Sequence, residues 1–169
     1  NHGTVTAMLF LLVGVIYDRA HHRDINGFGG LASIMPLYTG ITGFAFFAAM
    51  GLPGLSAFIS EVLVLLGSWK IYPGLTVVAA SAVVLTAGYM LWALQRMYLG
   101  APNPKYADTG WEINGRELVT LIPLAVVVLF LGIYPMAILR LQSPTLVHII
   151  STVQAAAAQS SGTANVAAR

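Results

Sequence analysis

Glu61 lies in the stretch GLPGLSAFISEVLVLLG (51–67), followed only by Val, Leu and Gly up to position 67. An acid in such company can bind and release a proton, or it can serve as a hydrogen-bonded structural contact. Its depth helps to decide. Glu61 precedes Trp69, an interface-marking residue type, by eight residues, about 12 Å along a helix. In a membrane-spanning helix this sets the carboxylate close to the bilayer midplane, where an acid costs a few kcal/mol even on the mildest insertion scale. Lys70 is too far along the same helix to pair with it. A compensating group must therefore come from another helix, an internal water chain or a part of the protein outside this stretch. Intramembrane acids that bear such a cost are functional by default. A carboxyl balanced between burial, which favours its neutral form, and a nearby cation, which favours its charged form, changes protonation when a neighbouring charge moves.

His2, beside Gly3, Thr4 and Thr6, is a second group suited to proton transfer near neutral pH, with a hydrogen-bonded structural role as the even alternative. Asp18, Arg19, His21, His22, Arg23 and Asp24 form a third cluster. It lacks HExxH or Cys/His ligand spacing and reads as a solvated loop with surface ion pairs. Lys70, Arg96 and Arg140 read as interfacial snorkelling residues. The chain carries no Walker motif, dinucleotide-binding turn or nucleophile elbow.

The elements that must hold Glu61 follow from length. Residues 37–69 form one apolar block of 33 residues, about 50 Å as a single helix, against a hydrocarbon core about 30 Å thick. The block should be interrupted, and Gly51-Leu52-Pro53-Gly54 supplies the interruption, because proline lacks an N–H and glycine frees the backbone. Half-helices are expected near 37–50 and 56–70, with Ser56 as N-cap of the second. Broken helices are tolerated in membranes where they face protein or water, and transporters place ion sites at them. Ser56 and Ser60 would line such a site. Other spans are expected at about 1–16, 75–98 and 117–139. An amphipathic interfacial helix is expected at 143–154, and a disordered tail at 155–169.

Composition agrees: 57% of residues are hydrophobic and 8% charged, against about 25% charged in soluble domains. The fold class is all-α integral membrane, with about four transmembrane helices, the first truncated and the second broken. Residues 1–16 read as the latter part of a helix, so the chain is expected to be the C-terminal part of a larger protein. A net charge of +2, spread along the chain, makes no case for nucleic acid. The absence of cysteine excludes disulfide and thiolate chemistry from these residues. Arg19, Arg23, Arg96, Lys105 and Arg116 fall on one expected side, against Lys70, Arg140 and Arg169 on the other, which favours the first side as cytoplasmic.

The order HG…AMLFLLVG, YDRAHHRDINGFGGL, MGLPGLSAFISEVLVLLGS resembles the antiporter-like subunits of respiratory complex I, above all the M, or chain 4, type, over about residues 2–154. Most relatives carry lysine where Glu61 stands, and the acid favours the M type. The resemblance implies a proton-translocating membrane-arm subunit with Glu61 as the terminal charged residue of a proton half-channel. It implies His2 as a member of the central hydrophilic axis. No cofactor is implied in this chain. The implied partners are other membrane subunits and the lipid bilayer, with the redox arm involved only indirectly, in a bacterial plasma (inner) membrane. A cation/proton antiporter or hydrogenase membrane subunit is the alternative within the class, and a structural scaffold the alternative outside it. The family's acid and two lysines of earlier helices have no counterpart in these residues.

Overall fold

The computed structural model describes the backbone of residues 1–167 and the side chains of residues 1–156. Two compact units divide the chain, Asn1–Ile133 and Tyr134–Arg169.

The first unit contains six α-helices: α1 (His2–Ala20), α2 (Leu31–Ile34), α3 (Pro36–Ala49), α4 (Ser56–Trp69), α5 (Pro73–Tyr98) and α6 (Gly115–Ile133). A 3-10 turn at Ile25–Gly27 precedes α2. Helices α1, α5 and α6 are long and apolar enough to cross a membrane, and α3 and α4 are shorter apolar helices. Pro36 and Pro73 stand in the first turns of α3 and α5, where the missing N–H is not needed and the fixed φ suits the helix. Asn114 and Glu117 start α6 by reciprocal caps: the Asn114 N–H donates to Glu117 Oε2 (2.9 Å), and the Glu117 N–H donates to Asn114 Oδ1 (3.0 Å).

Helix α1 packs on α3 and α6, and α4 packs on α5 and α6. Met8, Leu12, Tyr38 and Leu121 are fully buried where α1, α3 and α6 meet. The Tyr38 hydroxyl reaches into this core, donates to the Leu12 carbonyl at 2.9 Å and lies 3.4 Å from the Tyr98 hydroxyl. Helix α5 buries only Thr76 and Tyr98, so its long apolar face is left for lipid or neighbouring protein.

Helix α1 runs four residues past Ile16 because the polar end is paid into contacts. The Arg19 guanidinium donates to the Val15 carbonyl one turn back and forms a two-pronged bond to Glu117, 2.9 Å on each prong. Helix α6 stops at Ile133 and not near residue 139. Pro135 has no N–H to continue the ladder, and its ring would clash with the preceding turn.

The second unit holds α7 (Met136–Ala167), which contains Pro144. Leu146, Val147, Ile149, Ile150 and Val153 are exposed on it. The helix begins before residue 143 and continues past 154. The expected tail 155–169 falls mostly on residues whose side chains lie outside the described ones, and its last two residues lie outside them altogether.

Candidate functional site

The break between α3 and α4 is built from local backbone chemistry. The Gly51 N–H donates to the Ala48 carbonyl (3.2 Å) and the Leu52 N–H to the Phe47 carbonyl (3.1 Å). This pair of bonds, with a left-handed residue between, is the Schellman stop. Gly51 has φ +72°, a conformation that glycine adopts without steric cost. Pro53 follows and cannot continue the helix. A turn closed by the Leu55 N–H on the Leu52 carbonyl (3.0 Å) delivers the chain to α4.

Glu61 is the sixth residue of α4, and its carboxylate folds back onto this stop. A Cβ at Gly51 would lie 2.8 Å from Glu61 Cδ and closer still to Oε2. Gly51 therefore meets two demands at once: a positive φ, and room for the acid. On the far side of the break, a Cβ at Gly132 of α6 would collide with the Gly54 carbonyl and Leu55 Cα. The backbone of α6 thus bears directly on the elbow. Gly132 was not singled out from sequence. Its signal was a glycine inside an apolar helix, and its partner lies far away in the chain.

Two cavities meet at Glu61. One, of about 300 Å³, is bounded by α1, α3, α4 and α5, and draws its polar lining from Asn1, His2, Thr6, Ser60, Glu61 and Tyr89. At roughly 30 Å³ per water, it has room for several. The other, of about 380 Å³, lies between α4 and α5 and shares Ser60 and Glu61 with the first, with Thr86 as its further polar group. His2 Nδ1 is 3.2 Å from Thr6 Oγ1. Ser60 Oγ accepts from Asn1 Nδ2 (3.2 Å) and donates to the Ala57 carbonyl (2.8 Å). Among the described residues, Glu61 itself has no hydrogen-bonded or ion-paired partner, and Arg19–Glu117 is the sole ion pair. The structure thus brings Glu61, Ser60 and His2 to one cavity and sets Gly51 against the acid, with Gly54 under α6 and Pro53 in the exposed turn. Asn1, Tyr89 and Thr86 join the site as residues that sequence reasoning did not name.

Ser56 departs from expectation. The N-cap of α4 is Leu55, in extended conformation and without a capping side chain. Ser56 is the first helical residue; its hydroxyl is buried and unpartnered, and it lines neither cavity. The turn through residues 52–55 sets the entry angle one residue earlier than a serine cap requires.

At the opposite end of the unit, the loops before α2 and after α5 meet. The Gly30 N–H donates to the Leu99 carbonyl and the Asn103 N–H to the Gly29 carbonyl. His22 stacks on Phe28 with ring centroids 4.4 Å apart and is 2.7 Å from the Tyr106 hydroxyl. It is a packed structural side chain, and no group of residues that could hold a metal occurs among the described residues. Glu112 takes the N–H groups of Leu37 and Tyr38, each at 3.1 Å, and so caps the start of α3 from a distant loop.

Three comparisons relate this chain to known proteins. The profile of the family described as NADH:quinone oxidoreductase/Mrp antiporter, TM matches residues 1–86. NADH-quinone oxidoreductase subunit M of Rhodobacter capsulatus is 38% identical over 155 residues, covering 92% of this chain and 30% of that protein. NADH-ubiquinone oxidoreductase chain 4 of Chondrus crispus is 40% identical over 154 residues, covering 89% and 31%. A chain in the structure of respiratory complex I from Thermus thermophilus with bound NADH superposes with a TM-score of 0.72 at 32% identity, over 78% of this chain and 27% of that one. The chain therefore spans about 30% of the length of the curated relatives it matches.

Proposed function

From the premise that the chain belongs to the NADH:quinone oxidoreductase/Mrp antiporter transmembrane family, we propose that it is part of a membrane-arm subunit of the M type that conducts protons while quinone is reduced elsewhere in the complex. The observation that carries this reading is the place of Glu61: an acid without a partner among the described residues, folded onto a helix break, at the meeting point of two cavities. A structural carboxylate in an apolar span is saturated with donors, because an unmatched one is costly. An acid that must take and give a proton is left accessible from two directions.

In this reading His2 and Glu61 are the titrating groups of one polar cavity, with Ser60, Thr6 and Tyr89 orienting the intervening hydrogen bonds. A proton reaching the His2 side passes to the Glu61 carboxylate. It leaves through the groove between α4 and α5 when a neighbouring charge shifts the balance of the acid. In this reading the redox groups and cofactors belong to other subunits. The chain's coupling to electron transfer is electrostatic and conformational, through neighbouring membrane subunits in a bacterial plasma membrane.

The test is Glu61→Gln in the full complex, reconstituted in proteoliposomes, with quinone reduction and proton uptake recorded together. Loss of proton uptake in an intact complex supports the reading. Unchanged uptake, turnover and assembly would leave Glu61 a structural group and overturn it.

A further inference from the structure

Where α5 ends, an open cavity of about 510 Å³ is walled by Asn26, Phe28, Trp92, Gln95, Arg96 and Leu99. Among the described residues that line it, the one charge is Arg96. The Arg96 side chain is aimed by two contacts: Nε donates to Asn26 Oδ1 at 2.9 Å, and the guanidinium carbon lies 5.9 Å from the Trp92 ring centroid. These leave both Nη atoms without a partner among the described residues. No carboxylate pairs with the group; Asp24, two residues from Asn26, accepts from the Asn26 N–H and makes no ion pair with Arg96. A planar guanidinium held by Nε, with its Nη pair presented outward, is suited to two oxygens of one phosphate.

The surroundings say which phosphate. Along α5, on the face through Gln95, the successive positions are Leu91, Gly88 and Val84. Leu91 and Val84 are exposed by 47% and 72%, and the missing side chain of Gly88 opens onto empty space. Beyond the cavity, the same face of α5 therefore offers an apolar track with a notch, running away from the polar loop end. Trp92 stands between head and track, the interfacial position where an indole is favoured. A free phosphate would use only the upper part. A phospholipid would use both, with phosphate on Arg96, glycerol against Gln95 and Trp92, and an acyl chain along Leu91, Gly88 and Val84.

We propose that this cavity is a binding site for an anionic phospholipid on the loop side of the membrane. The site lies apart from Glu61, and its test does not depend on proton movement. The tagged full-length chain, purified with the partners it retains, is reconstituted into phosphatidylcholine nanodiscs. These carry a trace of phosphatidylglycerol bearing a photoreactive acyl chain, and crosslinked peptides are mapped by mass spectrometry. Crosslinks should concentrate between Val84 and Leu99. Arg96→Gln should lower them about fivefold, the weight of one cation near an anionic surface. Gln95→Glu, which keeps Arg96 but sets a carboxylate beside it, should lower them to a similar extent, so the result does not hang on one variant's folding. Equal labelling by photoreactive phosphatidylcholine, or labelling indifferent to both variants, would overturn the proposal. So would wild-type labelling abolished by soluble inorganic phosphate, which would assign the pocket to the free anion.

Discussion

Glu61 and Glu117 are both early in apolar helices of the same unit, and they are treated in opposite ways. Glu117 has every oxygen engaged: two bonds from Arg19 and one from the Asn114 N–H. Its side chain is 19% exposed and that of Arg19 15%, so the pair is largely withdrawn from water and must be nearly saturated to be tolerated. Glu61 has no partner among the described residues and borders two cavities. A saturated acid fixes geometry, because its proton has nowhere favourable to go. An unsaturated acid beside polar space is left able to change state.

The sharpest way to break this contrast is to neutralise each acid's role in turn. Glu61→Gln should reduce proton uptake by about a hundredfold, the scale of losing a positioned proton-transfer group, with assembly intact in native gels. Arg19→Ala should do the reverse. It strands Glu117 and should destabilise the assembled protein by about 2 kcal/mol, less than the roughly 3–5 of a fully buried pair, read as earlier loss of the complex on heating. Its proton uptake per surviving complex should be unchanged. If Arg19→Ala instead uncouples uptake from turnover, the loop-end network is part of the proton machinery and the contrast fails.

Gly51→Ala sharpens the contrast at the acid itself. It should cost about 1–2 kcal/mol from the left-handed backbone alone, and more from collision with the carboxylate. In combination with Glu61→Ala the collision is relieved, so the double variant should be more stable than the sum of the singles by about 0.5 kcal/mol or more. Additivity within error would mean that the carboxylate does not rest on Gly51. The smallest effect belongs to Ser56→Ala. Removing a buried hydroxyl with no partner should be neutral to about 1 kcal/mol stabilising, with no change in uptake.

What could be read from the sequence was local. The stop at Gly51 and the break at Pro53 follow from glycine and proline dihedrals, and the oddity of Glu61 follows from its apolar neighbours. What could not be read depends on distant pairs. Glu112 caps α3 from 75 residues away, and no pattern around either partner announces it. Arg19 lengthens α1 by finding Glu117 across 98 residues. Ser56 carries the residue type of a cap but not its position, because the preceding turn decides the entry angle. His22, which reads as part of a solvated loop, is packed because Phe28 and Tyr106 are folded over it.

The contact of Gly132 with the backbone of Gly54 has a mechanical meaning. An elbow free on both sides works as a hinge, whereas this one is braced from behind by α6, whose other end is pinned to α1 through Glu117. Helix α6, about 27 Å long, is then a strut between the two acids. Any swing of the elbow that followed a change at Glu61 would be carried as a thrust along it, with the softest point at Pro123, where the helix lacks a rung. The end beside the unpaired acid and the loop end with the locked pair would move as one linkage.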